Sequence, residues 1–215
     1  NRMPFEIQSF TLGPLQNNTY LLGETHSRAA VFIDPGFGSA DLYPTILRQG
    51  WKLAAIWLTH AHFDHIAGVN DILKAHLSHL PVALHPQALP LWRQKGGARM
   101  FGFEVETDAP PDFLLQHGQI LFVGDEIVEV RHAPGHSAGH VVFYAPSAEA
   151  LFCGDVIFHR GIGRTDLPEG NYDLLLESIR AQVYSLPPQT RLLSGHGPES
   201  TVGEEIAENP FVRPA

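Results

Sequence analysis

The stretch Thr59-His60-Ala61-His62-Phe63-Asp64-His65 decides the reading of this chain. It puts four side chains able to bind a metal, His60, His62, Asp64 and His65, within six residues. It closes an apolar run over 53–59, of the kind expected from a strand buried on both faces. Strand ends deliver loop residues to the rim of a sheet, where sites are usually built. His60 and His62 alternate, so in extended backbone both rings point the same way. Asp64 and His65 follow where the chain turns into a helix over about 65–76. Ile66, Val69, Leu73 and Leu77 are expected on the inner face of that helix. One metal ion could take His60 and His62, and a second Asp64 and His65.

Three later segments supply further ligands. His136 lies in Ala133-Pro134-Gly135-His136, Asp155 in Cys153-Gly154-Asp155, and His196 in Ser194-Gly195-His196-Gly197. Each follows a strand signal and sits beside a glycine, where backbone can bend sharply. A donor set of seven nitrogen and oxygen ligands suits Zn²⁺, Fe²⁺ or Mn²⁺ better than a soft metal. A carboxylate such as Asp155 can bridge two ions about 3.5–4 Å apart. Cys153, two residues earlier, reads as a small buried hydrophobe. The chain holds 13 histidines against 14 Lys and Arg together, so histidine chemistry is a dominant feature.

Outward from these motifs, strand and helix signals alternate. Phe5–Leu12, 19–22 and Ala29–Ile33 are short β-type runs, and Asp34-Pro35-Gly36 stops the third. Residues 41–49 read as a helix, Val82–Leu84 as a strand, and 94–111 as a long loop marked by Gly96-Gly97 and Pro110-Pro111. Further strands are expected at Ile120–Val123, 126–131, Val141–Ala145 and 150–153, with a last one at 192–193. Helices are expected over 172–184, with Leu175, Ile179 and Val183 on one face, and over Val202–Glu208. Two runs of strands, each with helices, point to two sheets packed face to face with helices outside, in one α/β domain spanning 1–215.

The composition narrows the function. Of 215 residues, 44% are hydrophobic and 17% charged, which is the balance of a folded core. The net charge is −9 and the basic residues are scattered, so no face is suited to gripping nucleic-acid phosphates. One cysteine rules out an internal disulfide and fits a reducing compartment. No apolar run approaches the roughly 20 residues of a membrane helix, and no signal-peptide core follows the start. Asn1-Arg2 read as tag remnants before Met3. The expectation is a cytoplasmic protein without a membrane or nucleic-acid partner.

In the order HxHxDH, PGHSAGH, GD and GHG, the chain resembles the metallo-β-lactamase superfamily. Within it, the chain resembles the glyoxalase II (hydroxyacylglutathione hydrolase) type, in its short single-domain bacterial form. That likeness rests on Phe158-His159-Arg160-Gly161-Ile162-Gly163-Arg164-Thr165-Asp166-Leu167-Pro168, on Ala98-Arg99-Met100-Phe101-Gly102 and on Asn209-Pro210-Phe211. The resemblance spans essentially the whole chain. It implies a four-layer αββα sandwich with the site on one edge of the two sheets. It implies two divalent ions, zinc first, with iron or manganese also suited. The first ion would take His60, His62 and His136, and the second Asp64, His65 and His196. Asp155 would bridge both, together with a hydroxide that Asp64 orients. Asp34 and His140 match positions that support the ligands, as such hydrogen-bonding partners fix a histidine's tautomer. Arg164 matches a lysine that binds glutathione.

The implied reaction is hydrolysis of a small-molecule thioester, an S-acylglutathione such as S-lactoylglutathione. Departures are visible. Only 19 residues follow His196, so the helical domain with basic glutathione contacts found in larger glyoxalase II enzymes is not expected. Pro198 stands where those enzymes have tyrosine. Three rivals exist. A mononuclear iron persulfide dioxygenase shares the fold and a Gly-Arg-Thr-Asp signature, but tends to carry cysteine where His140 stands. A true β-lactamase normally puts cysteine or serine at Asp155. A nucleic-acid-processing hydrolase or non-catalytic metal module is opposed by the acidic balance and the complete ligand set. Of the other histidines, His85, His132 and His159 read as hydrogen-bonded neighbours of the motifs, and His26, His76, His79 and His117 as surface residues.

Overall fold

Successive strand residues point to opposite faces, and the strands of this chain feed two apolar layers at once. The structure is a computed structural model describing residues 3–215; Asn1 and Arg2, read above as tag remnants, lie outside them. β1 (Phe5–Leu12), β2 (Asn17–Glu24), β3 (Ala29–Ile33), β4 (Lys52–Trp57), β5 (Val82–Leu84) and β6 (Phe113–Leu114) form one sheet in that order. β1 to β3 pair antiparallel and β3 to β6 parallel. Outside this sheet lie α1 (Tyr43–Arg48), α2 (Phe63–Ile66), α3 (Val69–Ala75) and α4 (Leu89–Arg93). The second sheet contains β7 (Ile120–Val123), β8 (Glu126–His132), β9 (Val141–Ala145), β10 (Ala150–Gly154), and, after a small hairpin of β11 (Ile157–Phe158) and β12 (Gly161–Ile162), β13 (Arg191–Ser194) and β14 (Ser200–Thr201). Its order is β14-β13-β10-β9-β8-β7. α5 (Tyr172–Ser178), continued by a wider turn over Ile179–Val183, and α6 (Val202–Glu208) cover its outer face.

The alternation is plain in the burial. On β3, Val31 and Ile33 join Trp57, Phe143 and Phe152 between the sheets, while Phe32 joins Ile56 and Ile66 under the first helices. On β10, Phe152 faces the sheet interface, while Leu151 and Cys153 pack with Leu175, Ile179 and Val183 under α5. The order is therefore helices, sheet, sheet, helices, the αββα sandwich expected from the sequence. Among the described residues, no helix is long and apolar enough to cross a membrane.

Two local expectations need correction. The helix expected over 65–76 is broken between α2 and α3 at Gly68. There the loop after β3 presses in: Gly68 N donates to Pro35 O at 2.9 Å, and a Cβ on Gly68 would lie 2.3 Å from Gly36 O. α3 then ends at Ala75, so Leu77 swings out and is fully exposed, and Ile72 takes the inner position. The long loop expected over 94–111 is partly ordered as a 3-10 turn at Lys95–Phe101. Gly96 adopts a φ of 68°, and a Cβ there would meet Phe63 N at 2.4 Å, which seats the segment directly on α2.

Glu205 on α6 governs the β11–β12 hairpin, which walls the candidate site. Its carboxylate is buried and accepts from Arg160 N at 3.0 Å, Asn209 Nδ2 at 2.8 Å and Ser200 Oγ at 2.5 Å, and it pairs with the Arg160 guanidinium. Asn209 Nδ2 also donates to Gly161 O at 3.1 Å. Burial works against the charge on Glu205, but these donors hold its carboxyl below the ordinary value. The stabilisation is therefore present above the unfolded carboxyl's titration and is lost as pH falls through the lowered folded value. Glu205→Ala is expected to destabilise the chain, because it strips the buried Ser200 and Asn209 side chains of their shared acceptor and leaves the partly exposed Arg160 unpaired. Urea unfolding at pH 7 measures it; a loss within error of zero would show that the hairpin is held otherwise.

Candidate metal centre

The ends of five strands converge on one rim. β3 leads to Asp34, β4 leads to His60 and His62, β8 leads through Ala133 to His136, β10 leads to Asp155, and β13 leads to His196. α2 carries Asp64 and His65. The structure brings all seven sequence-derived candidates together. The nitrogens of His60, His62 and His136 lie within 4.8 Å of one another, and so do the donor atoms of Asp64, His65, Asp155 and His196. Asp155 belongs to both neighbourhoods: Oδ1 is 3.2 Å from His65 Nε2, and Oδ2 is 3.5 Å from His136 Nε2 and 3.6 Å from His196 Nε2.

Surrounding acceptors set the orientation of each ring. His65 Nδ1 donates to Asp34 Oδ2 at 2.9 Å, His136 Nδ1 to Arg164 O at 2.7 Å, and His196 Nδ1 to Leu15 O at 3.1 Å. Thr59 Oγ1 donates to Asp34 Oδ2 at 2.6 Å and so accepts from His60 Nδ1 at 3.0 Å. With Nδ1 so engaged, these four rings turn Nε2 toward the centre, where a neutral ring presents its lone pair. His62 alone turns Nδ1 inward, 2.9 Å from His136 Nε2. Asp34 also lies near His60 and His65, but its two oxygens are occupied by Thr59 N, Thr59 Oγ1 and His65 Nδ1. It supports the rings instead of adding a donor. His140 Nε2 accepts from Asp155 N at 3.1 Å, and its ring stacks on His60 with centroids 4.5 Å apart.

The electrostatics call for a cation. Among the described residues, the buried atoms His60 Nε2, His65 Nε2 and Asp155 Oδ1 have no hydrogen-bond partner, although such atoms are almost always satisfied. Burial, with the neighbouring rings, holds His60 and His140 well below the usual histidine value, and holds His62 at about 3. These rings are neutral lone-pair donors at pH 7. Burial opposes charge on His65 too, yet Asp155, Asp64 and Asp34 raise it well above the ordinary value. Asp155 resists its own burial in the same way, with His65, His136 and His196 holding its carboxyl far down. Orphaned imidazole nitrogens facing two ionised carboxylates, which draw positive charge onto His65, fit divalent metal ions with nitrogen and oxygen ligands.

Other candidates fall less centrally. Arg164 lines the cavity above the centre, but its Nε and an Nη donate to both oxygens of Asp166 at 2.7 and 2.8 Å, so its guanidinium is engaged within the chain. That bond holds the Asp166 carboxyl at about 2. Cys153 points away, into the core under α5. His85 and His132 stack 4.2 Å apart, and His132 bonds Ala138 O. His159, expected as a hydrogen-bonded neighbour, is exposed with no side-chain hydrogen bond among the described residues. His26, His79 and His117 are exposed, as expected, and His76 is half-buried. Thr59 carried no assigned role in the sequence; its place directly before His60 at a strand end was the available signal.

Comparison with known proteins agrees with this geometry. Residues 12–196 match the metallo-beta-lactamase superfamily. The probable metallo-hydrolase YqgX of Bacillus subtilis is 38% identical over 94% of each chain. The hydroxyacylglutathione hydrolase GloC of Haemophilus influenzae is 32% identical, over 96% of this chain and 97% of that protein. Among solved structures, BLEG-1 B3 metallo-beta-lactamase is 38% identical with a TM-score of 0.88, covering 96% of this chain and 99% of that one. TTHA1623 in a di-iron-bound form is 41% identical with a TM-score of 0.86, covering 95% and 100%. With its αββα fold and its cluster of five histidines and two aspartates, this chain belongs to the metallo-β-lactamase superfamily, as a metal-dependent hydrolase.

Proposed function

We propose that this chain is a binuclear metal-dependent thioesterase of the glyoxalase II type, acting as a single cytoplasmic domain on a small-molecule S-acylglutathione. The carrying observation is Asp155, whose two oxygens face His65 on one side and His136 on the other. His60, His62 and His136 would hold one ion, Asp64, His65 and His196 the other, and Asp155 would belong to both. Zinc, iron and manganese suit these donors. Two divalent ions would supply positive charge that polarises a carbonyl and brings the pKa of water toward neutrality. The Asp64 carboxylate, 3.0 Å from His196 Nε2, lies where it can accept a hydrogen bond from the attacking water. Water oxygen adds to the carbonyl carbon, the C–S bond breaks, and the water's proton ends on the departing sulfur. His140 steadies the Asp155 backbone, and Asp34 with Thr59 keeps His60 and His65 aimed inward.

The thioester assignment draws on similarity to GloC. Similarity to BLEG-1 favours a second reading, β-lactam hydrolysis at the same centre. Parallel assays on S-lactoylglutathione, glutathione persulfide with oxygen, and a chromogenic cephalosporin separate these readings from each other and from a mononuclear dioxygenase. Of the three, S-lactoylglutathione is the compound expected to be turned over, as a representative thioester, and turnover of only another compound in the set would replace the reading.

Elemental analysis of reconstituted protein is expected to find two ions per chain. Asp155→Ala is expected to lose at least one and to lower kcat/KM by roughly 10³-fold, while Cys153→Ser changes little. One tightly bound ion in the wild type would end the binuclear proposal.

Arg164 bears on the thiol. A guanidinium can grip a glutathione carboxylate in two-point fashion, but here it must first leave Asp166. Arg164→Ala is expected to cost about 1.5–3 kcal/mol in kcat/KM on S-lactoylglutathione, mainly through KM. Asp166→Ala, which frees the guanidinium, is expected to lower KM. Equal losses on a thioester without carboxylates would make Arg164 a loop brace instead.

A further inference from the structure

The cavity above the metal centre is walled by hydrocarbon. Leu15, Phe63, Phe101, Phe158, Ile162 and Leu167 line it, in a volume of about 350 Å³. Its one arginine, Arg164, is held by Asp166. A second cavity of about 250 Å³ adjoins the first, with His62, Phe101 and Leu167 lining both, and the two together are termed the groove. Beyond the shared residues, Pro90, Leu91, Met100 and Pro168 extend the apolar walls, and Gln94 and Glu169 are the polar side chains there.

This surface leaves apolar area in water. Met100 is 65% exposed and Phe101 40%. Large apolar side chains grouped beside a reactive centre are a mark of ligand-binding surface. They are also held in place. Phe101 stacks on Phe63 with centroids 5.4 Å apart, and Gly96 packs against the Phe63 backbone closely enough to exclude a Cβ. A groove already formed spends little binding energy on ordering. Away from the metal ligands its charged groups are Glu169 and the Arg164–Asp166 pair, so the groove beyond the centre offers a carboxylated acyl chain no free cation among its lining residues.

We propose that this groove selects thioesters with an apolar acyl group, a medium-length alkyl or arylalkyl chain running from the metal centre past Phe101 toward Leu91 and Met100. This rests on the thioesterase reading and names the acyl class for it. A two- or three-carbon hydroxyacyl group would leave most of those walls in water, whereas each buried methylene adds to transition-state binding if it stays seated through the reaction.

The test uses the metal-reconstituted full chain and one neutral thiol, N-acetylcysteamine, esterified with acetyl, lactoyl, hexanoyl or phenylacetyl groups. The expected result is a kcat/KM for hexanoyl and phenylacetyl at least about tenfold above acetyl and lactoyl. In Phe101→Ala and in Met100→Ser, the hexanoyl-to-acetyl ratio is expected to fall at least about threefold; as a ratio within each variant, it is insensitive to partial metal loss or misfolding. Preference for lactoyl or acetyl in the wild type, or ratios unmoved in both variants, would overturn the groove assignment while leaving thioester hydrolysis standing. Absence of turnover with every one of these and with S-lactoylglutathione would instead remove the thioesterase reading. Calorimetric binding of hexanoate against acetate then decides the groove by itself, tighter hexanoate supporting it and equal affinity overturning it.

Discussion

A single buried carboxylate, that of Asp34, carries the geometry of the whole centre. It accepts from Thr59 N at 2.7 Å, from Thr59 Oγ1 at 2.6 Å and from His65 Nδ1 at 2.9 Å. The first bond ties the end of β3 to the end of β4, and the third ties both to α2. Through the Thr59 hydroxyl the same carboxylate reaches His60. One residue thus aims a ring in each of the two donor sets. To do so it adopts a φ of 51°, unusual for a residue with a side chain, at a cost of about 1–3 kcal/mol. Its own backbone meets that cost: Asp34 N donates to Trp57 O, and its carbonyl accepts from Thr19 Oγ1 and Asn17 Nδ2.

The second sheet is fastened to this hub at its rim. Val141 N donates to Thr59 O at 2.8 Å, so β9 holds the very residue that Asp34 positions. Gly195 N donates to Gly154 O, which keeps the loops bearing Asp155 and His196 in step. The Arg164 carbonyl, not its guanidinium, orients His136, so the hairpin clamped by Glu205 also serves the centre. Ring orientation therefore depends on backbone from several elements, and rigidity at the site comes from the sandwich itself.

Much of this was legible in the sequence because it is local. His60, His62, Asp64 and His65 fall within one turn of chain after an apolar run, and His136, Asp155 and His196 each follow a strand beside glycine. Alternating apolar runs likewise announced both sheets. What escaped were contacts between distant segments. The break at Gly68 comes from the Asp34-Pro35-Gly36 loop pressing on the helix, and nothing in the period of 65–76 records that approach. Leu77 kept the helical spacing but lost the helix. Arg164 and Asp166 lie two residues apart, and their pairing depends on side-chain rotamers that a sequence does not state. Arg160 and Asn209 each fall in a stretch that carried the resemblance, yet neither stretch records their meeting at Glu205, which lies 45 residues from Arg160.

Asn18, on the first hairpin, donates through Nδ2 to Ser194 O and Gly197 O, while its own N donates to Gly195 O and Leu15 O receives His196 Nδ1. The loop holding the last histidine is thus stitched to one of the earliest strands, across 176 residues for the Asn18–Ser194 bond. On a ribosome adding about 5–20 residues per second, those two partners emerge roughly 10–35 s apart. Through that interval β2 is available, but the loop it must receive does not yet exist. A nascent chain can gather His60, His62, Asp64 and His65, and even His136, yet it cannot close the cluster until His196 is made. A full donor set is thereby confined to chains extended past His196, and a product truncated before it retains only a partial, weaker set of donors.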